Sequence, residues 1–240
     1  MLQGPELGAV FAHLTGEAAR EPLDTQSLLS TLVAGAVRLF GARGAAVRYQ
    51  AGPGGVVWTA GTDDALRDLI ADAADWREGP AHDSSTTGGA LIDVDVTTLP
   101  VRAHWPRWSA RVQALGYGRV TALPLPAKEG AAGAIALFDA PGRRLDEPAL
   151  ALARSYTDAA AHTLSLQREV TESRVLAGQL EYALSSRVVV EQAKGILAAR
   201  HDLTLEEAFS WLRGYARSHQ RKVADVAREI IEGKLEFPAG

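Results

Sequence analysis

The chain has 240 residues, with 25 Lys+Arg against 29 Asp+Glu, 47% hydrophobic content and no cysteine. That is enough chain for one or two cored domains. The missing thiol excludes disulfides, thiolate nucleophiles, Cys-based zinc sites and Cys-ligated clusters. A formal charge of −4 speaks against nucleic acid as a partner if it is spread evenly, because phosphate contacts need clustered Lys and Arg.

Residues 1–20 lack a basic region ahead of a sustained apolar stretch, and no window approaches the ~18 continuous apolar residues of a membrane span. A cytoplasmic protein without membrane contact is expected. Leu2–Leu14 and Thr25–Phe40 carry apolar residues at helical spacing, the second ending on Gly41 as at a C-cap. Ala45–Val47 and Val56–Thr59 flank the turn-forming stretch 51–55 and read as a hairpin. Thr62, Asp63 and Asp64 then supply a cap for a helix through Ala74. Ala90–Val96 alternates like a half-buried strand, and Trp108–Leu115 is a short helix ending at Gly116. Val120–Pro124 and Ala132–Phe138 are two further strands. This order predicts an α+β domain, a central antiparallel sheet flanked by helices.

Ten of the eleven prolines fall at or before Pro148, so 149–237 is proline-free and expected to be helical, from about Arg154 onward. Charge divides in a similar place, with 14 basic and 18 acidic residues in 1–163 against 11 of each in 164–240. Between His162 and Arg200 only Gly178 and Gly195 interrupt helical composition. Val170, Ser173, Ala177, Leu180 and Leu184 fall at three- and four-residue steps, an imperfect heptad seam suited to a coiled-coil pairing with a second copy. The other reading is a single amphipathic helix on its own domain.

After a loop at 201–204, Thr204 and Glu207 form a capping box. The helix it starts has Leu205, Ala208, Phe209, Leu212 and Ala216 as its apolar stripe. A last helix from about Arg221 to Ile231 buries Val223, Val226, Ala227 and Ile230 and stops before Gly233. Three helices make an all-α bundle. From Arg213 to Lys222 there is no acidic residue, and Arg213, Arg217, Arg221 and Lys222 concentrate positive charge. Arg187 and Lys194 lie two turns apart on the preceding helix. Guanidinium groups bind phosphate bidentately and stack on bases. The plainer reading pairs these cations with Glu206, Glu207 and Asp225. Trp211 and Tyr215, one turn apart, either stack on bases or pack against a neighbour.

Arg187, Val190, the run 192–197 (QAKGIL), Glu207, Ala208, Phe209, Leu212, Arg213, then Arg221, Lys222, Val223 and 225–227 together resemble the ANTAR domain of bacterial antitermination regulators, over roughly 182–233. Gln220 stands where that family often has Asn, and Val223 where it usually has Leu. The first 163 residues resemble a GAF domain through 76–80, 93–95, 105–108, 115–117 and 122–125, and the pair is similar to the GAF–ANTAR regulators of actinobacteria. The resemblance implies a GAF-like sensor over 1–163, a connecting helix over 164–181 and an RNA-binding three-helix domain over 182–237. It further implies a homodimer that binds paired hairpin loops in nascent transcripts so that a terminator cannot form. Carried over by position, Arg187, Lys194, Arg213 and Arg221 contact the loop, and Arg217 and Lys222 contact phosphates. Ala193 and Gly195 allow close approach of RNA or a neighbouring helix, and helical spacing puts Phe209 in the core. The sensor domain is expected to have a pocket on one face of its sheet for a small-molecule ligand, while no cofactor is named by the sequence.

His82, Asp83, Ser84 and Ser85 have the residue types of a hydrolase triad, but neighbours in a loop-like stretch do not align as nucleophile, base and orienter. Asp93 and Asp95 share a strand face without a third metal ligand and are expected as solvated edge carboxylates. His162 sits on a helix like a phosphoacceptor, yet no nucleotide-binding segment follows it. No enzyme is expected. Two other readings remain: a small-ligand-binding dimeric module without RNA activity, and a helix-turn-helix-like DNA-binding regulator.

Overall fold

Alternation along the strands decides how the first part of the chain is layered. In the computed structural model, which describes residues 24–235 except 53 and 129, five strands form one antiparallel sheet. They are β1 (Gly44–Gln50), β2 (Val57–Gly61), β3 (Leu91–Asp95), β4 (Arg119–Pro126) and β5 (Ala131–Asp139), in the spatial order β2-β1-β5-β4-β3. One face presents Ala45, Val47, Leu123, Leu125, Ile135 and Leu137 to α1 (Thr25–Phe40) and to the start of the long helix α6 (Glu147–His201). The other presents Ala46, Ala122, Ala134, Ala136 and Phe138 to α2 (Asp64–Trp76), α3 (Pro80–Thr87), α4 (Leu99–His104) and α5 (Pro106–Ala114). Small alanines on this second face make room for Leu66, Leu69, Trp105 and Trp108, all buried. Fully burying one such leucine is worth about 2 kcal/mol over leaving it in water.

Local chemistry fixes several ends. Asp24 caps α1, accepting hydrogen bonds from the amides of Gln26 and Ser27, and Gly41 closes it at φ 60°. Asp63 caps α2 through the Leu66 amide. On the first face the Tyr156 hydroxyl donates to the Leu32 carbonyl oxygen at 2.9 Å, and burial holds this phenol well above its ordinary pKa.

Several expectations need correction. The stretch 82–85 is helical, as part of α3: Pro80 opens it and buried Ala81 and Ser84 dock it on the sheet, overriding a Ser/Thr-rich composition. The helix α4 was not expected at all. The long helix begins at Glu147 rather than Arg154, because Asp146 accepts the Ala149 amide and Pro148 sits in the first turn, where its missing N–H costs nothing. The strand at 90–96 is bulged: register shifts between Leu91 and Val94, Asp93 adopts φ 53°, and its amide donates to Thr121 Oγ1. Asp93 and Asp95 are ion-paired to Arg119, at 2.7 and 3.1 Å, rather than merely solvated. The helix expected at Leu2–Leu14 lies outside the described residues.

The chain divides into two units, the first ending at Glu169 and the second beginning at Val170. In the second, the remainder of α6, α7 (Leu205–Ser218) and α8 (Val223–Ile231) enclose a small core of Ala193, Leu197, Ala208, Leu212, Ala216, Val226, Ala227 and Ile230. The capping box of Thr204 and Glu207 is present. At the α7–α8 turn Gln220 takes φ 52°, a left-handed conformation in which Asn is the better-tolerated side chain. Leu205, expected in the apolar stripe, is exposed. Val170, Leu180, Leu184 and Val188 recur on one face of α6 by helical geometry, and all are exposed.

Candidate nucleic-acid interface

Helical spacing on α7 separates three strips. Ala208, Leu212 and Ala216 turn to the core, while Phe209 and Arg213, one turn apart, lie beside them and Trp211 and Tyr215 lie on the other flank. Phe209 is half-buried rather than a core residue. Lys194 Nζ of α6 stands 5.4 Å from its ring centroid, and the Arg213 guanidinium stands 5.4 Å from the same ring. An aromatic face thus gathers two cations from two helices, an attraction worth about 0.5–2 kcal/mol per pair. Helical periodicity missed this because Phe209 borders the apolar stripe; the cations four residues on and across the bundle were the available signal.

The six candidate cations divide into groups. Lys194 and Arg213 meet at Phe209, with Lys194 also ion-paired to Glu191 at 2.9 Å. Arg213, Arg187 and Arg217 are exposed, and among the described residues they have no carboxylate partner. Arg221 is committed: its guanidinium grips Glu229 bidentately at 2.9 and 2.5 Å. That hydrogen bonding holds the Glu229 carboxyl below its ordinary pKa. Lys222 is the N-cap residue of α8, and its Nζ lies 5.5 Å from the Tyr182 ring centroid. Among the described residues no contact joins Arg221 or Lys222 to the Phe209 group.

The plainer pairing holds in part and with other partners: Lys194 is paired with Glu191 and Arg221 with Glu229. Glu207 is occupied by the Thr204 cap, which lowers its pKa, and Asp225 pairs with Arg228 at 3.1 Å. Trp211 and Tyr215 stack on each other at 5.2 Å, and Tyr215 stacks on His219 at 4.0 Å, with both larger rings packed on the bundle core. Ala193 is fully buried, so its small side chain admits neighbouring helices, whereas Gly195 is exposed.

In the first unit nothing assembles into a triad. Asp83 accepts from Trp105 Nε1 at 3.2 Å and lies 3.3 Å from His104 Nε2, Ser84 is buried, and the Ser85 hydroxyl donates to the His82 carbonyl oxygen.

A five-stranded antiparallel sheet with helices on both faces, followed by a capped helical bundle, defines a GAF-like α+β domain joined to an all-α domain. The chain belongs to the GAF domain family, whose profile matches residues 22–165, and it carries a C-terminal ANTAR domain at residues 178–231. It is 32% identical over 65 residues to the transcriptional regulatory protein PdtaR of Mycobacterium tuberculosis, a stretch covering 27% of this chain and 32% of that protein. The chain therefore spans about a third of that relative's length. Among solved structures, the GAF domain of a phosphoenolpyruvate-protein phosphotransferase from Coxiella burnetii is similar in fold, with a TM-score of 0.50 and 13% identity over 71% of this chain and 99% of that domain. The corresponding domain from Acinetobacter has a TM-score of 0.49 at 9% identity, over 70% of this chain and 98% of that one. Among the described residues no helix is long and apolar enough to cross a membrane.

Proposed function

We propose that this protein regulates transcription by antitermination: its second unit binds paired hairpin loops in nascent RNA, and its first unit acts as the sensor. The observation that carries this reading is the convergence of Lys194 and Arg213 on the half-buried ring of Phe209. Such a group offers phosphate-binding charge beside an aromatic surface, the combination single-stranded loops require. Arg187 and Arg217 add exposed guanidinium groups without carboxylate partners. Lys222 extends the positive surface towards Tyr182, and Arg221 serves by holding the α7–α8 turn closed through Glu229. The exposed stripe of Val170, Leu180, Leu184 and Val188 supports a homodimer. Two bundles held together would bind two linked hairpins with the gain of effective concentration. No catalytic role is assigned to any residue.

The test is fluorescence anisotropy with a labelled two-hairpin RNA across a salt series. Arg213→Glu is expected to weaken binding at least about tenfold, equivalent to 1.4 kcal/mol, and to flatten the salt dependence. Arg102→Glu in the first unit is expected to leave both unchanged. Equal RNA binding by wild type and Arg213→Glu sinks the site assignment. Preference for duplex DNA in direct competition would establish the helix-turn-helix-like reading instead.

A further inference from the structure

Both faces of the sheet are packed, yet the first unit contains a cavity of about 870 Å³ at the end of the sheet where β1 and β4 finish and β5 begins. Its walls include Arg48 and Tyr49 of β1, His82 of α3 and Asp158 and His162 of α6, with Lys128 of the β4–β5 turn at the rim. The volume lies in the ordinary range for small-molecule sites, about 300–1,000 Å³. The pocket lies at the end of the sheet rather than over one face, where Trp105 and Trp108 fill the helical layer, and charged side chains stand among its largely apolar walls.

Arg48 is the unusual member. It sits on an inner strand, opposite Thr59 of β2 and Ala134 of β5. Around it are Ile70, Ala73, Ala81 and Ala134, with His82 and Ser85. It is half-buried and, among the described residues, has neither a carboxylate nor a hydrogen-bond partner. Arg119, comparably buried, is instead gripped by Asp93 and Asp95. A guanidinium withdrawn from water without a counter-charge is unfavourable unless something else supplies the charge. Of the acidic wall residues, Glu169 is paired with Lys128 at 3.4 Å, and Asp158 stands exposed on α6.

We infer that this cavity binds a small organic anion, whose phosphate or carboxylate group pairs with Arg48 and whose hydroxyl or amino groups face Asp158. The inference rests on reading the first unit as a sensor. It names the chemical class of the signal: a charged metabolite of drug-like size or smaller, not a neutral apolar compound. The occupant touches α6, and the same helix continues into the second unit.

The experiment follows the Arg48 side-chain Nε–H resonance of the full chain by NMR, assigned by its loss in Arg48→Met. Millimolar inorganic phosphate, glucose 6-phosphate and citrate are added separately, with glucose and sodium chloride of matched ionic strength as controls. The resonance is expected to shift saturably with glucose 6-phosphate or citrate, more weakly with inorganic phosphate, and not with either control. The melting temperature of the first unit should rise with the same anions in wild type and not in Arg48→Met. Without any anion, Arg48→Met should melt at the same or a higher temperature, because an uncompensated charge has been removed; a lower one would mean that the chain itself compensates Arg48 and would overturn the inference. No shift with any anion, or an equal shift with chloride, also overturns it. A response to glucose alone leaves a sensor but for a neutral ligand, and the inference falls. Loss of RNA binding by wild type in the parallel anisotropy assay would count against the proposed function and not against the cavity.

Discussion

The two units handle their arginines differently. In the first, where acidic residues are in excess, Arg119 is held by Asp93 and Asp95 and Arg143 by Asp139, while Arg48 stands half-buried against a cavity and, among the described residues, makes no ion pair. In the second, Arg221 and Arg228 are paired with Glu229 and Asp225, while Arg213 and Arg217 face solvent without carboxylates and Arg213 leans on Phe209. Among the described residues both units have exposed arginines without an ion pair, Arg102 and Arg154 in the first among them; what sets the first apart is Arg48, half-buried at a cavity wall, and what sets the second apart is Arg213 beside an aromatic ring. Net charge distinguishes neither case; pairing and burial do. An inward unpaired cation fits a small anion, and an outward group beside an aromatic ring fits a polymer of phosphates and bases.

The largest expected effect exploits the size of the two cores. Leu212→Ala truncates the largest of the three side chains that α7 buries in a core of eight residues. It should cost the second unit about 3 kcal/mol in urea unfolding, read by circular dichroism at the helix band. The first unit's transition should not move. Next comes a pair that separates binding from architecture: Arg213→Glu should lose RNA affinity, with melting lowered only by the loss of its contact with Phe209. Arg221→Gln leaves Glu229 unpaired, so melting should fall first and RNA affinity only with the folded fraction. Equal melting losses in both variants would erase the distinction. In the first unit, Tyr156→Phe deletes the buried bond to the Leu32 carbonyl and should cost about 1 kcal/mol in the same unfolding assay.

The smallest effect concerns acid. Glu207 is held below its ordinary pKa of 4.5 by the Thr204 amide and hydroxyl, and Glu229 by Arg221. Groups with lowered folded pKa values contribute stability that is present above about 4.5 and lost as pH falls through the folded values. The second unit should therefore weaken progressively on acidification below that point. Asp139 in the first unit works oppositely, because burial raises its pKa despite Arg143: its contribution is present below 3.8 and lost as pH rises through the folded value. Glu207→Gln preserves the capping geometry without a titrating group, so melting curves between pH 3 and 6 should show a shallower acid slope for the second unit.

What was legible in the sequence was local. The caps at Asp63 and Thr204 and the close at Gly41 depend on residues within four positions of one another, and each appears where the pattern put it. Long-range compensation was not legible. The segment 80–87 becomes helical because the sheet accepts Ala81 and Ser84, which its composition does not announce. Arg221 and Glu229 are eight residues apart with Arg221 outside α8, beyond the three- and four-residue spacing that marks a helical pair, so the pattern hid them. Phe209 was assigned inward because spacing gives an angle but not the edge of the core. A pocket was expected, but its place and walls were not legible for the same reason: they come from separate strands, turns and helices.

The irregular outer strand β3 has a consequence for solubility. A sheet must end somewhere, and a straight outer strand offers its free amides and carbonyls to any other extended chain. Here the last strand is kinked at Asp93, whose carboxylate is tied to Arg119 and to Arg144 at 3.0 Å. A newcomer would have to follow a broken ladder and displace ion pairs to dock. That edge is closed to further strands by shape and charge.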